Sequence, residues 1–451
     1  DSIPMLIITG VNAVDRMGSG RGWLHELKDQ QAFATQITAS STTVYSRDDL
    51  DRAMANAFKI FAQERPRPVH IEIPTDVMRM PVDGAMPVID RLAPRVLLHH
   101  DDALNRSRTL LAQAKTPLIL VGGGAKGAAS DIIALAEFMD APVVMTVNGR
   151  GILPVGHPLA LPFNPSLRPI RRLIKDADVT LAIGTEFGPT DYDWYEDGGF
   201  DIPGTLIRID IDPLQAARGV KATETLIGDA RQTVLALRDG LTTSSKPSAF
   251  ERVSATSQSV MRDELTPIYR ASLSLLDLIR NTLPGVVIVG DSTQPGYAAS
   301  VGYNTDMPGH LFGSMTGFGT LGYSLPAAIG ARVARDQPVI ALIGDGGIHF
   351  TISELGTAVE EQVPIIVIVW NNRGYGEIRN FMIEREIQPQ GVDIGAPDLV
   401  KIAEGYGVHA EKLTAISDLP RLLKDAVHRK GPTLIDGDEA LFLTITDTRK
   451  R

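Results

Sequence analysis

Short apolar runs alternate with helical patterns along nearly the whole chain. Runs such as PLILV (117–121), VTLAI (179–183) and IIVIV (365–369) are apolar at almost every position, and each is followed closely by Gly, Asn or Asp. Helical patterns, such as those at 48–64 and 131–140, separate them. Fully apolar strands that alternate with helices are typical of parallel sheets buried on both faces. The pattern therefore predicts an α/β fold with parallel sheets flanked by helices.

Two breaks interrupt this alternation. Residues 74–94 are rich in proline and have little periodicity, and residues 241–258 are polar and rich in Ser and Thr, as a linker would be. We expect three domains, at 1–80, 93–240 and 262–451, which agrees with a chain of 451 residues at roughly 150 residues per domain. The opening DSIPMLIITG already reads as a buried strand, so we expect the first domain to be incomplete.

Composition narrows the class of protein. The net charge is −10 and the basic residues form no cluster, which argues against a nucleic-acid or anionic-membrane partner. No apolar run reaches the ~18 residues of a membrane span. Cysteine is absent, which excludes disulfides and thiolate chemistry. These features argue against nucleic acid and membrane as partners, and they fit a cytoplasmic enzyme.

The stretch VGGGAKG (121–127) fits the G-x-G-x-x-G pattern of dinucleotide sites, since it follows a strand and precedes a helix. Three consecutive glycines make this match easy to obtain by chance. The next predicted strand, APVVMTV, is not followed by the acidic residue that would hold a ribose. A tight turn that packs a helix on a strand remains the alternative, and we find no specific sign of FAD.

The most specific pattern lies in the last domain. Residues 344–347, Gly-Asp-Gly-Gly, end one apolar run, and Asn371-Asn372 ends the next. A helical pattern lies between the runs, so both strand ends should meet at one edge of the sheet. Carboxylate and amide oxygens there suit Mg²⁺, which usually shares its ligands with a phosphate, and the glycines after Asp345 let backbone N–H groups approach an anion. The pair of motifs predicts a metal–diphosphate site, although each motif alone is weak.

These motifs resemble the thiamine-diphosphate enzymes of the acetolactate synthase/pyruvate decarboxylase superfamily, in which GDG is followed some two dozen residues later by NN. The resemblance covers essentially the whole chain. PTDV (74–77) looks like the end of the family's pyrimidine-binding domain, and 316–331 looks like the segment beside the thiazolium ring. It implies a three-domain architecture: the C-terminal half of a pyrimidine-binding domain at 1–80, a Rossmann-like middle domain at 93–240 and a diphosphate-binding domain at 262–451.

The resemblance implies a set of cofactor and metal contacts. Mg²⁺ would be held by Asp345, Asn372 and the carbonyl of Gly374. In relatives an apolar side chain, here Leu321, bends the cofactor, and a carbonyl, here that of Gly319, accepts its 4′-amino hydrogen. Plain core packing is the alternative role for Leu321. The implied thiamine-diphosphate contacts are Ser292, Thr293, Gln294, Gly319, Leu321, Gly344, Asp345, Gly346, Gly347, Asn372, Gly374 and Tyr375.

Three further residues are implied in catalysis. In the turn that carries Glu377, pyruvate and indolepyruvate decarboxylases have a glutamate and acetolactate synthases have an apolar residue. A carboxyl group there can return a proton to the carbon that has lost CO₂. A solvated glutamate paired with Arg379 is the alternative. His25 and Glu26 fall where relatives place residues that enter a neighbouring subunit's site, although Trp23 and His25 fit interface packing equally well.

The implied reaction is non-oxidative decarboxylation of a 2-oxo acid to an aldehyde. Longer stretches such as GDGGIHFTISELGTAVE look similar to 5-guanidino-2-oxopentanoate (2-ketoarginine) decarboxylases, whose cationic substrate would pair with Glu26 or another acidic residue. A carboligase of acetolactate synthase type and a non-catalytic paralogue are the alternatives. Relatives assemble as homodimers or homotetramers with sites between subunits, and their catalytic glutamate at ring nitrogen N1′ would lie upstream of Asp1.

Overall fold

The molecule is an α/β protein built on parallel sheets. A computed structural model describes residues 2–81, 101–193, 199–242, 249–395 and 397–445. The described residues form two compact units. The first contains 2–81 with the short segments 211–213 and 227–229, and the second contains the rest.

The first unit is a three-stranded parallel sheet packed on a long amphipathic helix. Ser46 caps that helix by accepting from the Asp49 N–H, and two aspartates in its first turn complement the helix dipole. Its buried residues, Ala53, Ala57 and Ile60, recur at helical spacing and face the sheet core. The strand order in the sheet is β1-β3-β2. Along the chain, the elements of this unit are β1 (Met5–Val11), α1 (Gln30–Thr35), β2 (Ser40–Thr43), α2 (Arg47–Gln63), β3 (Pro68–Pro74) and a 3₁₀ turn at Val77–Arg79.

The second unit contains two six-stranded sheets. The first has the strand order β6-β5-β4-β7-β8-β9, and its central strands are apolar and buried along their whole length. Its strands are β4 (Pro117–Val121), β5 (Val143–Met145), β6 (Ala160–Leu161), β7 (Val179–Ile183), β8 (Thr205–Asp210) and β9 (Glu224–Ile227). Its helices are α3 (Asp101–Gln113), α4 (Ala129–Met139), α5 (Arg168–Lys175), α6 (Pro189–Tyr192), α7 (Pro213–Ala216) and α8 (Ala230–Arg238), with 3₁₀ turns at Gly123–Ala128 and Val147–Gly149.

The second sheet has the order β11-β10-β12-β13-β15-β14, and every pair in it is parallel. Its strands are β10 (Val287–Gly290), β11 (Leu311–Gly313), β12 (Val339–Gly344), β13 (Ile366–Asn371), β14 (His409–Leu413) and β15 (Thr433–Asp438). The helices around it are α9 (Ala249–Asp263), α10 (Pro267–Thr282), α11 (Gln294–Gly302), α12 (Ser324–Ala334), α13 (Asp345–Ile348), α14 (Glu354–Glu360), α15 (Gly376–Glu384), α16 (Leu399–Gly405), α17 (Leu419–Ala426) and α18 (Glu439–Phe442), with a 3₁₀ turn at Ile416–Asp418.

The expected linker at 241–258 was wrong in its second half. Helix α9 begins at Ala249 and buries Ala249, Val253 and Val260 on one side. This helical spacing is hidden in the sequence because the intervening positions are mostly Ser, Thr and charged residues. Of the proline-rich break at 74–94, residues 82–94 lie outside the described residues.

The glycine-rich stretch 121–127 forms a turn packed on the neighbouring strand. The N–H groups of Gly122 and Gly124 donate to the carbonyls of Ile183 and Gly184, at 3.0 and 3.1 Å. A Cβ added at Gly122 would lie 2.4 Å from the Gly184 oxygen. These glycines serve close packing between β4 and β7, and their bonded N–H groups favour the tight-turn interpretation over a phosphate site.

Candidate active site

The site is built where β12 and β13 end side by side. The parallel register pairs Gly344 with Trp370, so Asp345, just after β12, and Asn371, the last residue of β13, lie at the same edge of the sheet. Below this edge, the strand residues are fully buried. The predicted strand–helix–strand unit is confirmed, with α13 and α14 between the strands.

Asp345 is a buried carboxylate held by backbone donors. Its side chain is 5% exposed and accepts from the N–H groups of Asn372 (3.3 Å) and Gly374 (2.9 Å). Burial raises the pKa of Asp345, and the backbone hydrogen bonds only partly oppose that rise. The site thus holds a negative charge that a cation would stabilise.

Asn372 completes a set of converging polar atoms. One terminal atom of its amide lies 2.8 Å from the Gly374 carbonyl oxygen and 3.3 Å from Asp345 Oδ1. As nitrogen, this atom donates to both oxygens. As oxygen, it lies from each of them at a separation that suits two ligands of one octahedral cation, because ligands at 2.0–2.1 Å from Mg²⁺ are roughly 3.0 Å apart. The carboxylate, amide and carbonyl therefore fit the implied metal.

The backbone of the loop after β13 is constrained to this shape. Arg373 has φ of 61°, a left-handed conformation that is costly for a side chain with a Cβ. Gly374 has φ of 154°, and a Cβ there would lie 2.4 Å from the Val392 carbonyl oxygen. Only glycine fits that position, and it brings the Gly374 carbonyl beside Asn372.

A single cavity collects most of the predicted cofactor residues. Within the described residues no three His, Cys, Asp or Glu side chains converge as a metal site, so a cation there has to use amide and carbonyl oxygens. Gly319 does not line the cavity, and its predicted role is neither supported nor opposed by this. The predicted residues that line the cavity are Ser292, Thr293, Gln294, Leu321, Gly344, Asp345, Gly346, Gly347, Asn372, Gly374, Tyr375 and Glu377.

A cradle of glycine and aromatic surface forms one wall. A Cβ at Gly346 would lie 2.7 Å from the Tyr375 ring, so the ring rests directly on this backbone. Thr293, which also lines the cavity, stands at the N-terminus of α11. Helix N-termini and open glycine backbone are suited to an anion such as a diphosphate.

Asp291 is a structural residue that sequence reasoning missed. It is fully buried at the end of β10 and accepts from the N–H groups of Gly322 (3.3 Å) and Ser324 (3.0 Å). Burial raises the pKa of Asp291, although these hydrogen bonds act to lower it. The carboxylate thereby fixes the turn that carries Leu321 and the start of α12. An acidic residue directly after an apolar run was the available signal.

Glu377 lies in the first turn of α15 and lines the cavity. The Gln294 side-chain amide donates to Glu377 Oε2 at 2.5 Å. Four other cavity residues were not predicted: Tyr297, Trp370, Gly376 and Ile378. Tyr297 lies one turn beyond Gln294, and Ile378 follows Glu377, so both were accessible from helical spacing once α11 and α15 were known.

His25 and Glu26 belong to the first unit, in a glycine-rich loop. His25 is exposed and has φ of 62°. The Glu26 carboxylate accepts from Ser19 Oγ and from the N–H groups of Gly20, Gly22 and Trp23, at 2.6–3.0 Å. Desolvation acts to raise the pKa of Glu26, but these hydrogen bonds outweigh it and lower the pKa. Glu26 organises its own loop, and a contact with substrate remains a prediction for both residues.

Sequence comparisons agree with this fold. Residues 289–437 match the C-terminal TPP-binding domain of thiamine pyrophosphate enzymes, and residues 104–237 match the central domain of the same enzymes. Together with the relatives below, these matches show that the chain belongs to the thiamine pyrophosphate-dependent enzymes.

The similar proteins are decarboxylases and acetolactate synthases by name. The chain is 37% identical over 441 residues to the probable 2-ketoarginine decarboxylase AruI of Pseudomonas aeruginosa, covering 97% of this chain and 78% of that protein. It is 30% identical over 460 residues to a probable acetolactate synthase large subunit of Methanocaldococcus jannaschii, covering 97% and 77%. It is 28% identical over 452 residues to the acetolactate synthase isozyme 2 large subunit of Escherichia coli, covering 96% and 79%.

No helix in the described ranges combines the length and the apolar character that a membrane span needs.

Proposed function

We propose that the cavity binds thiamine diphosphate together with Mg²⁺. Asp345, the Asn372 amide oxygen and the Gly374 carbonyl would hold the metal. The glycines after Asp345 and the N-terminus of α11 would face the diphosphate, and Leu321 would support the rings. The observation that carries this proposal is the close approach of the Asn372 amide to Asp345 Oδ1 and to the Gly374 carbonyl oxygen, on the wall of a cavity that Glu377 also lines.

We infer that the reaction is decarboxylation of a 2-oxo acid to an aldehyde. When bound, thiamine diphosphate supplies the electron sink for the charge left by CO₂. The chain supplies position and a proton. Glu377 lines the cavity and stands on a helix that begins just after the metal loop, so its carboxyl group is placed to protonate the carbon that has lost CO₂. Positioned proton donors contribute about 10²- to 10⁴-fold to rate.

For the substrate, we propose 5-guanidino-2-oxopentanoate. The name of the 37% identical relative supports it. The ring of Tyr297 also lines the cavity. A guanidinium group favours such an aromatic surface. Glu26 is a weaker candidate for this contact because its carboxylate already accepts several hydrogen bonds.

We propose that the enzyme assembles as a homodimer or homotetramer with sites between subunits. Large apolar side chains close in sequence to the cavity residues are exposed: Phe318 is 95% exposed, Phe350 61%, and Ile378 and Phe381 51% each. Such a group of exposed apolar residues is typical of an interface. Cytoplasmic localisation remains an expectation.

The experiment is an assay of the full-length enzyme with a panel of 2-oxo acids that includes pyruvate, indolepyruvate and 5-guanidino-2-oxopentanoate, with thiamine diphosphate and Mg²⁺ present. We expect an aldehyde and CO₂ in equal amounts, with the highest kcat/KM for the guanidino acid. Acetolactate from pyruvate without free aldehyde would instead support the carboligase alternative, which the acetolactate synthase relatives favour.

A further inference from the structure

Gln294 contacts Glu377 although the two residues are 83 positions apart. Gln294 is the first residue of α11, which follows β10, and Glu377 lies in the first turn of α15, which follows β13. Gln294 is only 9% exposed, so its amide has little freedom to turn away. The Gln294 Nε2 and Glu377 Oε2 atoms are 2.5 Å apart and form a hydrogen bond.

This bond makes the two oxygens of Glu377 unequal. An amide N–H only donates, so Oε2 accepts from Gln294. When the carboxyl group is protonated, its carbonyl oxygen is the better acceptor, so the bond favours the proton on Oε1. The bond also fixes the side-chain rotamer, and a proton donor contributes to rate only when it is held within hydrogen-bond reach of its target.

We propose that Gln294 is the positioning residue for Glu377, holding its carboxyl group toward the cavity and directing the transferable proton to Oε1. This inference rests on the proposed function, in which Glu377 is the proton donor. It assigns Gln294 a role different from the diphosphate contact that the family resemblance implies.

The groups around the pair are compatible with this role. Tyr297 on α11 lines the cavity, and Tyr269 on α10 interacts electrostatically with Glu377. Burial raises the pKa of Tyr297, and it raises that of Tyr269 to about 12, with a further contribution from Glu377. Both phenols are therefore neutral at working pH. Asp291 and Asp345, the other acidic groups here, are engaged by backbone donors.

The test is a double-mutant cycle with Gln294→Met and Glu377→Gln in the full-length enzyme. Methionine keeps the length of glutamine and removes the donor. We expect Gln294→Met to lower kcat by roughly 10-fold or more with a smaller change in KM. The limb of the pH–rate profile at which activity falls with rising pH should move to higher pH, because a carboxylate without its donor holds its proton more tightly. In the Glu377→Gln background the same change should alter kcat less than about twofold.

Cofactor affinity gives a readout that does not depend on turnover. Calorimetric titration of each variant with thiamine diphosphate and Mg²⁺ should show a Kd within about twofold of wild type if Gln294 acts through Glu377. Gln258→Met is the matched control, since Gln258 is exposed on α9 and bonds only weakly, at 3.3 Å, to Ser254. It should leave rate, pH profile and affinity unchanged.

If Gln294→Met does not fold, a second variant tests the same inference. Gln294→Glu would place two carboxyl groups at hydrogen-bond distance, where they share a proton, and should move the pH limb upward by more than Gln294→Met does.

Two results would overturn the role of Gln294 and leave the proposed function intact. One is weaker cofactor binding by about 10-fold with an unmoved pH limb, which would make Gln294 a diphosphate contact. The other is an equal loss of kcat in both backgrounds. A Glu377→Gln enzyme with normal turnover would instead refute the catalytic role of Glu377 and, with it, any need to position it.

Discussion

At the scale of single residues, Asp345 has opposing effects on binding and stability. Its carboxylate suits a cation, yet it is 5% exposed and burial raises its pKa. An acidic group whose pKa is raised in the folded state contributes stability below its unfolded value of 3.8, and that contribution is lost as pH rises through the folded value. Without metal, the ionised side chain therefore lowers stability at neutral pH.

Asp345→Asn should gain stability relative to wild type as pH rises in the metal-free protein. The variant removes the buried charge and also gives up one acceptor oxygen, so its thermal midpoint minus that of wild type should increase from pH 4 to pH 8. Thermal unfolding in a chelator at several pH values measures this. Asp336→Asn, at a fully exposed position after α12, is the control and should show no such trend. A constant deficit of Asp345→Asn at every pH would contradict the argument.

At the scale of elements, Asp291 connects β10 to the turn at Leu321 and to α12. It accepts from Gly322 and Ser324, and its own carboxylate is fully buried. Removing the acceptor leaves these buried N–H groups without a partner, at about 1–3 kcal/mol each.

Asp291→Ala should therefore lower the free energy of unfolding by about 3 kcal/mol, and Asp291→Asn by less, since it keeps one acceptor oxygen. The urea midpoints of both variants against wild type measure this. Asp336→Ala, at the other end of α12, should cause almost no change. A midpoint for Asp291→Ala equal to that of the control would show that the carboxylate does not secure this turn.

The elements also show where sequence reasoning succeeds. The apolar runs identified along the chain are strands in the structure. Most of them are buried on both faces, so polar positions do not interrupt their apolar pattern. The run at the start of the chain was wrongly expected to be buried, since β1 is an edge strand in which no residue is buried. The strands that the pattern missed are all edge strands of their sheets: β2, β6, β9, β11 and β14. Edge strands are short and partly solvated, so their sequences lack a continuous apolar run.

At the scale of the whole molecule, contacts between residues far apart in the chain limited what could be predicted from the sequence. The GDG and NN motifs predicted the site because β12 and β13 are consecutive parallel strands. The Gln294–Glu377 contact was not predictable, because neither helix start reveals its side-chain direction from periodicity alone. The same is true of Arg150, a buried side chain beside the first six-stranded sheet whose guanidinium donates to the Tyr303 and Ser300 carbonyls at the end of α11.

Binding of thiamine diphosphate, titrated by calorimetry with and without Mg²⁺, tests the central claim most directly. Wild type should bind the cofactor only when Mg²⁺ is present. Asp345→Asn, whose folding the thermal measurements establish, should bind on the order of 100-fold more weakly, or about 2.7 kcal/mol. Binding by the variant at wild-type affinity, or binding by wild type that does not depend on Mg²⁺, would contradict the metal–diphosphate site. No binding by wild type under any condition would favour the non-catalytic alternative.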